Sequence, residues 1–260
     1  MQATLEAYYD RMTELLLDHG LRESAPNSEI RTIAYARTVA VVKGLNGDRN
    51  SQLFAFLLES GLLYQDSPII GLSGISLSES DLSGVDLIEF NMSGARLNRA
   101  NLSGAYLSGT ILDEAKLNEA NLCGADLSRA IISGAYLHRA NLQGADLEGA
   151  DLREADLHEA DLRLTDLRWT KMRGANLNGA SLGLANLEGS DLSDAYLHGA
   201  NLKEANLIGA LNWRFEQFDQ VIYLDGTVMP DGVKLRGKTH PNGPTYKEWK
   251  AQYLAKQGGA

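Results

Sequence analysis

Three sets of side chains in this sequence have types and spacings that could carry chemistry. His138, His158 and His198 fall 20 and 40 residues apart, with Glu159 beside the second of them. Imidazoles and carboxylates are donors that zinc accepts when three or four converge on one point. Cys123 is the one cysteine, and it would act as a nucleophile only with a pKa-lowering cation beside it; Arg129 is near it in the chain. Asp86, Asp126, Asp146 and Asp166 are separated by 40, 20 and 20 residues and could form a row of like charge, a surface with the sign of a phosphate backbone. The motifs of catalysis are missing: there is no G-x-S-x-G, no P-loop, no H-E-x-x-H and no Cys/His pair at catalytic spacing. The expectation is a protein that is not an enzyme and holds neither cofactor nor metal.

What must position these residues is a repeat. From Leu72 to Leu207 a large apolar residue stands at every fifth position, 28 in all, with Met92, Ile132 and Met172 the only departures from Leu. Two residues before each stands a small one: of 24 such sites from Ala95 to Ala210, only Thr110, Thr165, Thr170 and Ser190 are not Ala. Asp or Asn often precedes the Leu, and Gly often follows it by two. A period of five matches neither a helix nor a strand. A chain that buries one large and one small side chain per five residues must turn regularly, with the other three side chains in water.

The motif A-(D/N)-L-x-x, as in Ala145-Asp146-Leu147-Glu148-Gly149, resembles the pentapeptide-repeat family over about 140 of the 260 residues. The resemblance implies a mainly β fold, a right-handed quadrilateral β-helix with four pentapeptides per coil. Residues 67–212 would then make about seven coils, a rod roughly 34 Å long at the usual strand spacing. On that plan His138 and His158 stack on one flat wall, which offers no converging third and fourth ligand and suggests plain surface residues. Cys123 joins the row of Ser83 and Ser103. Some members of the family mimic duplex DNA and bind DNA gyrase, which gives the Asp86, Asp126, Asp146, Asp166 row a second reading. Arg153, Arg163, Arg168, Lys171 and Arg173 interrupt that negative surface.

The ends read differently. Residues 1–66 form an α-helical N-terminal region, with helices ending before Gly20, by Gly44 and by Gly61, similar to pentapeptide-repeat proteins common in cyanobacteria. Ile70, Ile75, Val85 and Phe90 occupy sites that are Ala later, as a coil docked against helices would require. Residues 213–260 read as a C-terminal turn or hairpin and a helix cap, the register ending at Asn212-Trp213. The last helix carries Trp249, Tyr253 and Leu254, which cap the final coil or pair with a second copy in a homodimer.

The net charge of −10 excludes direct nucleic-acid binding, because phosphate contacts need Lys and Arg. No apolar run approaches the roughly 18 residues needed to span a membrane. The single cysteine and a charged N-terminus point to the cytoplasm. One corner stands out: two residues after Leu the rod places Gly, Glu, Arg or Asp, except at Leu164, Trp169 and Leu184. Arg163 and Arg168 flank these three as a polar rim. The expected function is a protein–protein interaction scaffold or regulator, with this patch as the contact or covered by one of the chain's own ends. The alternatives are a gyrase-binding DNA mimic and an adaptor whose specificity lies in the N-terminal helices.

Overall fold

The computed structural model describes residues 2–63 and 69–257. The expected boundary between helices and solenoid, at residues 66 and 67, lies outside the described residues.

From Ser76 to Asp191, the residue before each core Leu forms a parallel β-bridge with the residue twenty positions on: Ser76 with Arg96, Asp126 with Asp146, Asp191 with Leu211. Twenty residues, hence four pentapeptides, make one coil. The outcome differs from a mainly β expectation in one respect. Among the described residues no continuous strand forms, and the walls are joined by isolated bridges. The cause is the turn two residues after each Leu, where φ is +62° at Gly104 and +61° at Leu164. The wall turns there, so one residue per wall bridges in strand geometry while the corner N–H also bonds to the next coil, as Gly104 N–H does to Cys123 O at 2.9 Å. That turn is also why glycine recurs there, since left-handed φ carries no Cβ penalty for it.

The Leu and Ala positions are buried throughout the coil. At the four sites between Ala95 and Ala210 where Thr or Ser replaces Ala, the hydroxyl finds a carbonyl: Thr165 Oγ1 donates to Leu142 O at 3.0 Å and Ser190 Oγ to Leu187 O at 2.8 Å. The Asp/Asn preference outside has an equally local cause. The side-chain oxygen accepts the N–H two residues on, as Asp146 does from Glu148 at 2.9 Å, which fixes the corner. Asn141, Asn121 and Asn101 also donate down their row, each at 3.0 Å, the last to Asp81.

The coil does not end at Asn212-Trp213. After α4 (Phe215–Phe218) the chain regains the walls, Asn201 pairing with Tyr223 and Asn206 with Val228. Leu224 and Met229 take Leu positions, and buried Thr227 takes the Ala position, its hydroxyl donating to Leu202 O at 2.6 Å. The offset is 22 residues instead of 20, the surplus accommodating α4, so a partial eighth coil follows the seven expected. Past Pro230-Asp231-Gly232, Lys234 pairs antiparallel with Val228. Helix α5 (Tyr246–Gln257) then lays Trp249, 1% exposed, against Trp213 and Phe215. Its indole N–H reaches Asp231 at 3.0 Å. This end is capped.

At the other end stand α1 (Gln2–Leu17), a 3₁₀ turn at Leu21–Glu23, α2 (Glu29–Val42) and α3 (Gly47–Glu59). Tyr8 and Thr38 hydroxyls, 2.6 Å apart, tie α1 to α2, and the Tyr9 and Phe56 rings, 4.5 Å between centroids, tie α1 to α3. Asn46 caps α3 by accepting the Arg49 N–H. Helix α3 sits on the first coil: buried Asn50 donates to Asp81 O, and a Cβ on Gly47 would lie 2.0 Å from Ser83 Oγ. The helices thus cover a coil whose Ile70, Ile75, Val85 and Phe90 are buried. Among the described residues no helix is long and apolar enough to cross a membrane.

Candidate functional site

With twenty residues per coil, Leu164 and Leu184 stack on one corner and Trp169 occupies the next corner of the same coil. Leu164 and Leu184 are each 55% exposed and Trp169 is 52% exposed. Neither end of the described chain covers them, so of the two alternatives, partner contact or intramolecular cover, the second is not found. All three have left-handed backbone, with φ of 61°, 62° and 55°. A bulky side chain there costs about 1–2 kcal/mol relative to glycine.

Trp169 leans on its neighbour in the next coil. A Cβ on Gly189 would lie 2.5 Å from Trp169 Cδ1, so the absent side chain is what lets the indole lie flat. Arg168 closes the other side, its Cζ 5.1 Å from the ring centroid, within reach of a cation–π attraction. The rim is held in place. Arg163 grips Asp161 with two N–H groups, and Arg168 spans Asp166 and Glu148, with Nε 2.9 Å from Asp166 Oδ1. The Arg163 hydrogen bond holds the Asp161 carboxyl below its usual pKa. Burial pushes the Asp166 carboxyl up, and the side-chain and backbone N–H groups of Arg168 outweigh it, leaving the pKa lowered.

Beside the two leucines lies a shallow groove of about 330 Å³, floored by Gly183 between Arg163 and Lys203. The sequence reading missed it, although a signal existed. Gly183 is the only Gly that directly follows a core Leu between Leu72 and Leu207. Its φ is not left-handed, so the backbone does not demand glycine, and the missing side chain opens the wall.

The acidic row is assembled only in part. Asp126, Asp146 and Asp166 bridge in succession, but Tyr106 separates Asp86 from Asp126, and Arg168 grips Asp166. The histidine wall holds more than the flat-wall expectation allowed: donor atoms of His138, His158 and Glu159 lie within 4.8 Å of one another. His198 is separated from them by Asn178, whose side chain accepts its N–H. Cys123 is half-buried and forms no disulfide.

The pentapeptide-repeat family model matches residues 75–210 in successive segments, more than half of the chain. The chain belongs to the pentapeptide-repeat family. No curated protein sequence matches it. Among solved structures it is similar to HetL, a pentapeptide-repeat protein involved in heterocyst differentiation regulation from the cyanobacterium Nostoc sp. strain PCC 7120, at 30% identity. That match covers 70% of this chain and 97% of HetL, with a TM-score of 0.28. Rfr23 from the cyanobacterium Cyanothece 51142 is 41% identical over 35% of this chain and 58% of its own, with a TM-score of 0.26. QnrB1, a plasmid-mediated fluoroquinolone resistance protein, is 19% identical over 73% of this chain and 97% of its own, with a TM-score of 0.34. At these TM-scores none of the superpositions bears on function. Membership accounts for the repeat and its coil.

Proposed function

We propose that the protein is a non-catalytic binder of another protein, a scaffold or regulator in which a right-handed, four-sided coil holds the Leu164–Leu184–Trp169 corner rigidly in water. The observation that carries this reading is three large apolar side chains, each more than half exposed, on corner rows otherwise occupied by Gly or charge. Aromatic anchors with a nearby arginine are what interface hot spots are built from. Arg163 and Arg168 are already pinned by carboxylates, so little side-chain freedom is lost on binding. On this reading the protein works in the cytoplasm, where Cys123 stays reduced.

Mimicry of duplex DNA toward gyrase is the weaker reading. It draws on the Asp126–Asp146–Asp166 stack, and Tyr106 and Arg168 shorten that stack at both ends. An adaptor role for the N-terminal helices would have to use faces other than the one α3 sets on the first coil. A homodimer through α5 would rest on Leu254, because Trp249 is used in the cap.

The test is capture from a lysate of the native cell, with the full chain as bait, beside a Leu164→Ser/Leu184→Ser variant and an Asp126→Lys/Asp146→Lys variant. The expected result is a partner retained by the acidic-row variant and lost by the corner variant. Retention by the corner variant and loss by the other would transfer the function to the acidic row.

A further inference from the structure

We propose that His138, His158 and Glu159 form a binding site for a divalent transition-metal ion, zinc being the best fit. The coil brings them together: His138 and His158 occupy the same wall position one coil apart, and their rings lie 5.3 Å between centroids with planes 9° apart. One donor atom from each of the three residues lies within 4.8 Å of the other two.

The tautomer is set correctly for ligation. His138 Nδ1 lies 3.1 Å from the backbone carbonyl oxygen of His158. A carbonyl only accepts, so Nδ1 carries the proton and Nε2 keeps its lone pair. A carbonyl holding the far nitrogen is how metal-binding histidines are usually oriented. Geometry supports the second pair as well. Two donors sharing a tetrahedral ion at roughly 2.1 Å lie roughly 3.4 Å apart. His158 Nε2 and Glu159 Oε1 are 3.5 Å apart, already at that separation. A donor atom of His138 lies within 4.8 Å of both, so the third contact requires a movement of the His138 side chain about its torsions.

Space and donor type agree. The next corner residue in Glu159's row is Gly179, where even a Cβ would come within 3.4 Å of Glu159 Cγ. Its missing side chain leaves water free to complete the coordination. Two imidazoles with one carboxylate suit zinc and its neighbours copper and nickel, whereas magnesium and calcium require oxygen donors. One group opposes the ion. Arg139 Nε lies 2.6 Å from Glu159 Oε2, which leaves Oε1 for the metal but sets a fixed positive charge beside it.

The neighbouring sequence supplies the variants, because Asn98, Asn118 and Asn178 occupy the same row and the wall therefore tolerates asparagine. Metal-free full-length protein is titrated with Zn²⁺ against a chromophoric chelator, with the Co²⁺ absorption spectrum as an independent readout. One equivalent should bind. His138→Asn and His158→Asn should each weaken binding at least about tenfold, His198→Asn should leave it unchanged, and Arg139→Gln should tighten it. Apo melting curves that superimpose with wild type show that the asparagine variants keep the fold. Equal zinc affinity in wild type and the His138→Asn/His158→Asn double variant would overturn the site, as would loss of the bound ion on His198→Asn.

Discussion

Leu142 and Gln143 are adjacent in the chain and opposite in consequence, and Leu142→Ala beside Gln143→Ala measures the register directly. Leu142 is 1% exposed in the middle of the coil, with intact coils on both sides. Its backbone bonds survive truncation: the N–H still donates to Asp161 O at 2.8 Å, and the carbonyl still accepts from Ala145 N and Thr165 Oγ1, each at 3.0 Å. The loss is therefore packing alone. A buried Leu→Ala change costs about 2–5 kcal/mol, counting both the transfer of the side chain and the cavity it leaves. At about 2–4 °C per kcal/mol for a chain of this size, the midpoint should fall by about 4–20 °C. Gln143 keeps its N–H on Asn141 Oδ1 whatever its side chain, and Gln143→Ala should stay within about 0.5 kcal/mol of wild type. Leu142→Lys goes further, because an ammonium sealed among Leu and Ala side chains has no partner, and no folded rod should be recovered. Thermal melting by far-ultraviolet circular dichroism, repeated in urea, reads all three. Equal shifts from Leu142→Ala and Gln143→Ala would refute the inward and outward assignment on which every other position depends.

Other outcomes follow from single contacts. Leu184→Gly relieves a left-handed leucine, so it should leave melting unchanged or raise stability by about 1 kcal/mol while abolishing partner capture; a loss of both would make the leucine structural. Gly189→Ala should push the Trp169 indole off the wall, seen as greater acrylamide quenching of tryptophan fluorescence, and unchanged quenching would refute the packing. Purified protein should not inhibit gyrase supercoiling; inhibition at low micromolar protein that Asp126→Lys/Asp146→Lys abolishes would replace the corner reading with mimicry. Burial pushes the Asp81 carboxyl up, and hydrogen bonds from the Ser83 hydroxyl, the Gly47 and Ser83 N–H groups and Asn101 outweigh it, so its folded pKa is lowered. Its stabilising contribution is therefore full above the ordinary carboxylate range near pH 4 and is lost as pH falls through the depressed value. Urea midpoints taken downward from pH 5 should fall more steeply for wild type than for Asp81→Asn.

The coil was legible because its cause is local. A Leu and an Ala every five residues state which side chains face inward, and Asp or Asn before the Leu states where each corner is fixed. Pairing at twenty residues was not legible from spacing alone, since period five fits any whole number of walls; it came with the family resemblance and is observed in the bridges. The eighth coil was hidden by two surplus residues around α4. Tyr223-Leu224 and Val228-Met229 keep the five-residue interval, with Gly226 at its turn, but a reading that demanded the earlier register passed over them. Two distinctions needed three dimensions. Sequence placed Asp86 and Asp126 in one row but gave no weight to Tyr106 between them. It also treated His138 and His158 as a flat pair, because only rotamers show that Glu159 turns toward His158.

A solenoid of this kind separates folding from recognition more cleanly than a globular domain does. Each coil is stabilised by its two neighbours, and two of every five residues carry that stability. The other three can change without disturbing the core, provided the corner tolerates left-handed backbone. Function in such a chain is therefore written as departures from its own period, and the departures here are not scattered. Leu164, Trp169, Gly183 and Leu184 fall within 21 residues of sequence and therefore within about one coil. One of the four is a glycine that makes room and three are large apolar groups. Gly189 accommodates the Trp169 ring, and Gly183 opens the groove beside Leu164 and Leu184. Random drift on a tolerant surface would place gaps and bulk independently of one another. Finding the unusual gap at Gly183 directly beside two unusual leucines argues for a shaped surface, and shape matters on a rigid rod only to something that binds it.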